Sequence, residues 1–275
     1  MKLASWNVRT LLDAPGRPER RSAILAREPA RYDIDIAALS ETRISAEAQF
    51  EEVGAGYTFF TTGQPEGKPR QAGVGFAIKS TLVSKLQEHP KGVNPRLMYM
   101  KLELSHGRTA VLLSAYAPTM DATEQDKEAF YNSLSDIIRS VPYKHRIIVL
   151  GDFNARVGRD HSAWPRVLGH HSIGNENSNG SLLLQFCAQH ELTITNTLFQ
   201  QDNKYKCMWM HPRSKHWHML DYVITRHRHV RERYFWLLMK CHRPQHLHWH
   251  HTMTARHSDY CNVFKQYIQL QCDYT

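Results

Sequence analysis

One stretch near the middle of the chain constrains the fold more than any other. It joins four apolar residues to a short polar motif and reads Ile147-Ile148-Val149-Leu150-Gly151-Asp152-Phe153-Asn154. A run of branched apolar side chains closed by a glycine is typical of a buried strand. Asp152 and Asn154 therefore stand at a strand end, where a rigid sheet can fix residues that carry chemistry. The structural alternative is a Gly-Asp turn that the asparagine supports.

Further segments of strand length lie on both sides of this one. They are residues 2–8, 34–39, 74–78, 97–104, 109–115, 192–195 and 219–224. Apolar residues also indicate two helices, through Phe130, Leu134, Ile137 and Ile138 in the first and over residues 182–190 in the second. Because several strands follow one another with no helix between them, the pattern favours a mixed, layered α/β fold over strict alternation of strand and helix.

The apolar content and the charge of the 275 residues narrow the class of protein. Hydrophobic residues make up 41% of the chain, which supports a packed core and excludes a disordered polypeptide. The net charge is +9 with histidine neutral, and the sequence pI is about 9.3. This basic excess favours a polyanionic partner, either nucleic acid or an anionic membrane surface. No run approaches the roughly 18 apolar residues that cross a bilayer, so we expect no membrane span.

Two features bear on the compartment. The first residues lead into no long apolar region with a small-residue cleavage site, so we expect no signal peptide and no secretion. The five cysteines are odd in number and lack CxxC spacing, which favours free thiols in a reducing compartment. The sequence therefore predicts an intracellular protein.

The polar residues that end the strand candidates suit one kind of chemistry. They are Asn7, Glu41, Tyr116, Asp152, Asn154 and Asp221. A glutamate and an amide oxygen are hard ligands that suit Mg²⁺. Asp152 is able to orient or deprotonate a water that Asn154 holds, and Tyr116 is able to donate to a phosphoryl oxygen. Asp221 lies beside an apolar residue in a strand, so it needs a cationic partner such as a histidine. Together these groups predict phosphodiester hydrolysis.

Five short motifs, in the same order along the chain, resemble those of the endonuclease/exonuclease/phosphatase superfamily. They are Trp6-Asn7, Leu39-Ser40-Glu41-Thr42, Tyr116-Ala117-Pro118, Gly151-Asp152-Phe153-Asn154-Ala155 and Leu220-Asp221-Tyr222-Val223. The resemblance covers residues 1 to about 226. It implies the DNase I-like four-layer α/β sandwich, with two packed mixed β-sheets flanked by helices. Residues 174–180 and 209–218 look more narrowly like the endonuclease domains of RTE-type non-LTR retrotransposons and the related craniofacial development protein 2-like proteins.

The resemblance also implies a role for each matching residue. Glu41 would bind a divalent metal with Asn7 beside it, the metal being Mg²⁺ or alternatively Mn²⁺. Asp152 would activate or align the nucleophile, and Asn154 would help to hold the scissile phosphate. Tyr116 would contact that phosphate or the leaving group. Asp221 would orient a catalytic histidine. The implied partner is DNA, with no small-molecule cofactor and with protein partners left open. A DNA substrate places the protein in the nucleus rather than the cytoplasm.

The end of the chain departs from the family pattern. The family closes with a Ser/Thr-Asp-His motif, and the nearest match here is Ser258-Asp259-Tyr260, in which a phenol replaces the imidazole. A phenol cannot take the positive charge that imidazolium would carry beside Asp221. We therefore divide the chain into an enzyme domain over residues 1–225 and a divergent, His-rich segment over residues 226–275 that we expect to be poorly ordered. Asp259 is then a remnant of the motif, and activity is expected to be impaired.

Two other groups of residues have competing interpretations. The histidines of the C-terminal segment have the composition of a zinc site, but no cysteine pairs with them at finger spacing, so an unstructured tail is favoured. Arg213 and Lys215, with Trp217 beside them, are expected to form a DNA-facing rim. The alternative is a solvated basic face with the tryptophan partly in the core.

Three functions remain open from the sequence. The first, which we favour, is a Mg²⁺-dependent DNA endonuclease that nicks one strand, as in retrotransposon target-site cleavage. The second is a catalytically inactive descendant that binds nucleic acid or a protein. The third is a phosphatase of the same superfamily acting on lipids or nucleotides, which the basic charge disfavours.

Overall fold

The computed structural model describes residues 1–13, 16, 18–104, 107–202, 206, 209–210, 217–230, 235–236 and 266–270. The strands in these ranges are β1 (Lys2–Asn7), β2 (Ile36–Ser40), β3 (Ala48–Glu52), β4 (Tyr57–Thr62), β5 (Val74–Lys79), β6 (Lys91–Asn94), β7 (Leu97–Leu104), β8 (Arg108–Tyr116), β9 (Arg146–Asp152), β10 (Leu192–Ile194), β11 (Trp209–Met210), β12 (Trp217–His218), β13 (Asp221–Arg226), β14 (Phe235–Trp236) and β15 (Gln266–Leu270). The helices are α1 (Arg21–Arg31), α2 (Ser80–Val83), α3 (Glu124–Ser140) and α4 (Ser178–Gln189).

Two large sheets form the centre of the molecule. Within the described ranges, the first sheet has the order β14-β15-β1-β2-β5-β4-β3 and the second has the order β10-β13-β9-β8-β7-β6. The pairs β1/β2 and β8/β9 are parallel, and the other neighbours are antiparallel. Both sheets are therefore mixed, as the sequence predicts. The strands β11 and β12 form a separate hairpin.

Three apolar clusters divide the fold into layers. The cluster between the sheets contains Phe76 from the first sheet and Leu112 and Ile148 from the second. A second cluster packs α3 and α4 on the outer face of the second sheet, and a third packs α1 on the outer face of the first. The order of layers is helix, sheet, sheet, helix. The predicted four-layer α/β sandwich is therefore confirmed.

Strand alternation aims the terminal polar residues into the gap between the sheets. In β9, Ile147 and Val149 face the helices, whereas Ile148 and Leu150 face the other sheet. Successive side chains of a strand point to opposite faces, so Asp152, two residues after Leu150, also faces the gap. The same alternation applies to Tyr116 at the end of β8, Asp221 at the start of β13 and Asn7 at the end of β1.

The strands nearest the C-terminus, β14 and β15, belong to the first sheet. Strand β15 pairs antiparallel with β1, from Lys2 opposite Gln269 to Ser5 opposite Gln266, and β14 pairs with β15 at the sheet edge. Strand β13 ends at Arg226, one residue past the predicted domain boundary. Cys187, the one cysteine in the described ranges, is a buried free thiol. None of the described helices has both the length and the apolarity that crossing a membrane requires.

Gly151 provides a direct test of how tightly β8 and β9 meet beside the polar cluster. Its φ is +155°, and a Cβ there would overlap the carbonyl oxygen of Ala115, its register partner on β8. We predict that Gly151→Ala lowers the free energy of unfolding by about 2–4 kcal/mol, because both backbone strain and overpacking oppose it. Urea unfolding of the whole chain measures the change.

Gly54→Ala is the matched control for this substitution. A Cβ added at Gly54 would meet no atom within 4 Å, and the backbone of Gly54 is not in the left-handed region. The control should change the free energy of unfolding by no more than about 0.5 kcal/mol. Equal stability of the two variants would contradict the close contact at Gly151.

Candidate active site

The second sheet places three of the predicted residues side by side across neighbouring strands. Asp152 at the end of β9 lies opposite Tyr116 of the parallel strand β8 and opposite Asp221 of the antiparallel strand β13. The backbone continues this pairing beyond the strands, where the N–H of Ala117 donates to the carbonyl of Asp152 at 2.9 Å. The register, set by apolar residues deeper in the sheet, thus brings a phenol and two carboxylic acids together.

The first sheet supplies the residues that meet Asp152 across the gap. The side-chain amide nitrogen Nδ2 of Asn7 donates to Oε1 of Glu41 at 2.7 Å and to Oδ2 of Asp152 at 2.9 Å. The Asn7 oxygen Oδ1 accepts the backbone N–H of Arg9 at 2.9 Å, which fixes the orientation of the amide. One amide group therefore holds two carboxylates that come from different sheets and are 111 residues apart in sequence.

Burial and the neighbouring charge of Glu41 raise the pKa of the Asp152 carboxyl group. Its side chain is 5% exposed, and burial, with a smaller contribution from the negative charge of Glu41, raises its pKa to about 6. The hydrogen bonds from Asn7 and from the backbone N–H of Asn154 act in the opposite direction on this pKa. A carboxylate with this pKa is largely ionised at pH 7 and is still a useful base.

Asn154 lies just past the end of β9 in a left-handed conformation, with φ of +47°. Its backbone N–H donates to Oδ1 of Asp152 at 2.9 Å, and its side-chain Nδ2 donates to the carbonyl of Ala117 at 2.8 Å. Asn179, buried in the first turn of α4, donates to the carbonyls of Pro118 and of Asn154, each at 3.1 Å. These bonds hold the loops after β8 and β9 against each other.

Tyr116 is buried at the end of β8, 6% exposed. Burial raises the pKa of its phenol well above the usual value, and the charges of Glu41 and Asp152 raise it further. The hydroxyl therefore stays protonated across the physiological range and remains a hydrogen-bond donor. The guanidinium carbon of Arg96 lies 5.2 Å from the centroid of the tyrosine ring.

Asp221 is a second buried carboxyl group beside Asp152. Burial raises its pKa well above the usual value, and the charges of Asp152 and Glu41 add to the effect. Its strand is fixed by Asn196, whose side chain donates to the carbonyl of Asp221 at 3.3 Å and accepts the N–H of Val223 at 2.7 Å. Burial and the neighbouring charges therefore favour the protonated, neutral form of Asp221.

This set of donors fits a hard divalent cation. Glu41 and Asp152 direct carboxylate oxygens at the side-chain amide of Asn7, whose N–H groups a cation bound between the two carboxylates would replace. In the ranges that the structure covers, no three side chains among His, Cys, Asp and Glu are grouped so as to hold a metal by themselves. Magnesium sites commonly use one or two carboxylates and complete the shell with waters and substrate phosphate, so a sparse set suits Mg²⁺ better than Zn²⁺.

The structure thus brings six of the predicted residues to one end of the two sheets: Asn7, Glu41, Tyr116, Asp152, Asn154 and Asp221. Trp217, predicted to face DNA, is half-buried and packs against the apolar cluster of α3 and α4. Arg213, Lys215 and Asp259 lie outside the described residues.

Two further residues of the site were not predicted. Asn179 lies two residues after the N-cap Asn177 of α4, and its burial, which makes it part of the site, is not visible in the sequence. Arg96 lies in the turn between β6 and β7, and nothing in the local sequence pattern indicates that it reaches Tyr116.

Curated relatives of the chain carry one name. The chain is 26% identical over 230 residues to craniofacial development protein 2 from Bos taurus and 27% identical over 229 residues to the protein of that name from Tragulus javanicus. Each match covers 82% of this chain but only 36% and 37% of the respective relatives. The chain therefore spans little more than a third of the length of these relatives.

Solved structures share the fold at low sequence identity. The catalytic domain of APE2 from Xenopus laevis matches with a TM-score of 0.63 and 16% identity, over 99% of this chain and 92% of that one. The 3′ phosphatase NExo from Neisseria, bound to a product DNA hairpin, matches with a TM-score of 0.60 and 13% identity over the whole of both chains. An AP endonuclease from Leishmania major matches with a TM-score of 0.57 and 15% identity, over 98% of this chain and 87% of that one.

The sequence itself matches the Endonuclease/Exonuclease/phosphatase family over residues 4–242. That range includes all six residues gathered at the end of the sheets. The chain belongs to the endonuclease/exonuclease/phosphatase family.

Proposed function

We propose that the chain is a divalent-metal-dependent phosphodiester hydrolase that nicks DNA, derived from a retrotransposon endonuclease. The observation that carries the proposal is the amide of Asn7, which holds the carboxylates of Glu41 and Asp152 at one point between the sheets. A cluster of this kind costs free energy, because a buried carboxylate and a partly buried one repel each other and lose hydration. It is reasonable only where a cation and a phosphate are to be bound.

Asp152 is the proposed base for the attacking water. Its two oxygens accept from Asn7 and from the N–H of Asn154, and each retains a lone pair for a water molecule. The raised pKa, about 6, places it near the pH at which a base both is ionised and binds a proton. The bonds from Asn7 and Asn154 fix its direction, so the water is held rather than free.

Tyr116 and Glu41 have complementary roles in this proposal. Tyr116 donates its hydroxyl to an oxygen of the phosphate, because its raised pKa keeps it protonated. Glu41 is the principal ligand of the cation, with the amide of Asn7 beside it. Bound Mg²⁺, or Mn²⁺ in its place, would neutralise the charge that develops on the phosphate. Asn154 helps to hold the scissile phosphate through the loop that Asn179 secures.

DNA as the substrate is supported by charge and by the solved relatives. The net charge of +9 favours a polyanion. One of the structural neighbours is an AP endonuclease, and another is a 3′ phosphatase bound to a product DNA hairpin. We place the protein in the nucleus, where this substrate is found. Contacts of Arg213 and Lys215 with DNA belong to the same proposal, whereas Trp217 packs against the apolar cluster of α3 and α4.

One observation favours a second function, binding of nucleic acid without cleavage. The third position of the closing family motif is Tyr260, where a histidine is expected. A phenol cannot serve as the cation beside Asp221, and loss of an acid or base of this kind commonly costs about 10²–10⁴ in rate. A descendant with that loss would keep the fold and its affinity for DNA.

The first prediction from this proposal concerns the carboxylates. The purified chain with Mg²⁺ should nick supercoiled plasmid, and Glu41→Gln and Asp152→Asn should each lower the nicking rate by at least about 100-fold. Gel conversion of supercoiled to open-circular plasmid measures the rate, and EDTA should abolish it. Asp136→Asn, which removes an exposed carboxylate on α3, is the control and should retain the rate.

Wild-type activity in either carboxylate variant would contradict the site assignment. Absence of nicking by folded wild-type protein, together with retained DNA binding, would support the second function instead.

The second prediction concerns the stability of the metal-free protein. The pKa of Asp152 is raised in the fold from about 3.9 to about 6, so the folded state binds a proton more tightly than the unfolded state. In EDTA, the free energy of unfolding should therefore fall by about 2 kcal/mol between pH 4 and pH 7 from this group alone, with Asp221 acting in the same direction. Urea unfolding at successive pH values measures it.

Asp152→Asn should remove most of this pH dependence and stabilise the metal-free chain at pH 7, since it removes the charge from the pocket. Asp136→Asn should follow the wild type. Stability that rises from pH 4 to pH 7 and is insensitive to Asp152→Asn would contradict the buried, repelling carboxylates.

A further inference from the structure

A group of cations lies at the end of the second sheet opposite to the candidate active site. Strand β13 begins at Asp221, in the site, and ends at Arg226, five residues further on and therefore about 17 Å away along an extended strand. Because β9 is antiparallel to β13, the turn that leads from α3 into β9 lies at this same far end. The exposed side chains of Tyr143 and Lys144 belong to that turn, and Arg228 follows β13. A ligand bound here is separate from a ligand in the active site.

Arg226 ties this turn to β13. The residue is 5% exposed, and each of its terminal nitrogens donates to two backbone carbonyls. The acceptors are the carbonyls of Pro142 and His145, at 2.9 and 3.1 Å from Nη1, and of Val141 and Ile138, at 2.8 and 3.3 Å from Nη2. These carbonyls and the dipole of α3 offset part of the charge, but no carboxylate in the described ranges lies within 4.0 Å of the guanidinium. The cation is thus neutralised only in part.

The ring of Tyr143 positions a second guanidinium, that of Arg228. The guanidinium carbons of Arg228 and Arg226 lie 4.8 and 5.1 Å from the centroid of this ring, at cation–π distance. The hydroxyl of Tyr143 donates to Oε2 of Glu191 at 2.9 Å, which fixes the ring. Arg228 is exposed, and none of the described carboxylates lies within 4.0 Å of its nitrogens. Its planar guanidinium is therefore held on a fixed ring, with a charge that no ion pair in the described part of the chain balances.

Positive charge exceeds negative charge on this surface. Burial lowers the pKa of the Arg226 guanidinium and the nearby charge of Arg228 lowers it further, although the phenol of Tyr143 acts in the opposite direction. Lys144 adds a third cation, whereas the acidic side chain that contacts the surface, among the residues described, is Glu191. Because cations this close repel each other, an anion that binds here is stabilised by all of them.

The side chains favour a nucleic acid over a membrane as the source of this anion. A guanidinium stacked on an aromatic ring suits phosphate, to which it donates through two parallel N–H groups. Peripheral membrane binding, in contrast, gains strength from apolar side chains that enter the bilayer. Of the large apolar side chains that the described ranges expose, Tyr143 alone lies on this surface, and its ring already contacts the two guanidiniums.

We infer that Tyr143, Lys144, Arg226 and Arg228 form a second nucleic-acid-binding surface, the distal surface, which takes the phosphate backbone of a strand other than the one in the active site. Arg228 donates to a phosphate, and Lys144 contributes charge to a neighbouring phosphate. Tyr143 holds the guanidinium of Arg228, and Arg226 holds the turn that carries Tyr143. The inference goes beyond the proposed function and does not require hydrolysis. A chain with both sites holds two segments of nucleic acid at once.

The test is the affinity of the full chain for a single strand as a function of salt. Fluorescence anisotropy with a labelled thymidine oligonucleotide of about eight nucleotides gives Kd in EDTA. Without a cation, the carboxylates of Glu41 and Asp152 disfavour a phosphate in the active site, so the distal surface dominates binding. Arg228→Gln should weaken binding by about tenfold and lower the slope of log Kd against log salt by about 0.7. Arg228→Gln combined with Lys144→Gln should lower that slope by about 1.4.

Arg31→Gln is the matched control. Arg31 is exposed in the last turn of α1, and its guanidinium carbon lies 5.6 Å from the centroid of the Tyr32 ring. The substitution removes the same charge and the same kind of aromatic contact away from the distal surface, so affinity and salt slope should stay at wild-type values. A salt slope of Arg228→Gln equal to that of Arg31→Gln overturns the inference.

Arg228→Lys separates charge from geometry. The lysine keeps the charge but loses the planar donors and the stacking, so the salt slope should remain while affinity falls at least about threefold. Where Arg228→Gln does not fold, as near-UV circular dichroism reports, the lysine variant decides. Wild-type affinity of Arg228→Lys in that case overturns the inference.

Additivity separates the distal surface from the active site. Arg228→Gln should weaken oligonucleotide binding by the same factor in the wild type and in Glu41→Gln, because distant sites contribute independently. A factor that changes with Glu41→Gln would place Arg228 at the active site and overturn the inference. A wild type that shows the Arg228-dependent salt slope yet nicks nothing would refute the proposed hydrolase while leaving the distal surface in place.

Vesicles of phosphatidylcholine and phosphatidylserine in equal parts test the membrane alternative. Their sedimentation with the chain should not depend on Arg228. Vesicle binding that Arg228→Gln abolishes, with oligonucleotide binding unchanged, would assign the surface to anionic lipid and overturn the inference.

Discussion

The amide of Asn7 is the interaction that organises the polar end of the sandwich. It reaches from the first sheet to Asp152 in the second and at the same time holds Glu41, which follows β2. Both acceptors are carboxylates, and a donor shared between them offsets part of their repulsion. Just behind, the hydroxyl of Ser114 in β8 donates to the carbonyl of Leu39 in β2 at 3.0 Å, so the two sheets are also fixed to each other by a direct bond. The site is therefore preorganised before any ligand arrives.

Backbone strain accompanies this arrangement. Glu41 and Asn154 both have left-handed backbone conformations, with φ of +57° and +47°. Such conformations cost free energy for residues other than glycine, and they are retained where surrounding contacts over-determine them. Asn179 provides such a contact for Asn154, and the pairing of Asn7 with Glu41 provides one on the other sheet. In Glu41 this conformation accompanies the contact of the carboxylate with Asn7, and in Asn154 it accompanies the contact of the backbone N–H with Asp152.

Much of the fold could be predicted from the sequence, because its strands are marked by local apolar runs. The segments that became β7, β8 and β9, together with the helix α3, lie where the pattern places them. Strands β3 and β4 were not predicted. Strand β4 reads Tyr-Thr-Phe-Phe-Thr-Thr and is buried on both faces, so its sequence shows no alternation of polar and apolar residues. The four-layer arrangement was predicted from the resemblance of the five motifs to the family and not from the periodicity of apolar residues.

The candidate site was less predictable than the fold. The residues at strand ends could be named, but which of them touch depends on contacts between distant parts of the chain, such as Asn7 with Asp152, 145 residues apart. Alternation along β9 places Asn154 on the same face as Asp152, yet the strand ends first and the Asn154 side chain turns to the carbonyl of Ala117. Arg96 was not predicted for the same reason, since the residue that it contacts, Tyr116, lies twenty residues away at the end of β8.

The carboxylates joined by Asn7 are proposed to form a site for a divalent cation, and the rest of the mechanism follows from that site. A crystal of the chain grown with Mn²⁺ tests the proposal at the atoms concerned, since Mn²⁺ takes the same oxygen ligands as Mg²⁺ and scatters anomalously. We predict an anomalous peak at a Glu41 oxygen, beside Asp152, that is absent from crystals of Glu41→Gln. An unoccupied Glu41 at Mn²⁺ concentrations that saturate the protein, or a peak that survives Glu41→Gln unchanged, would contradict it.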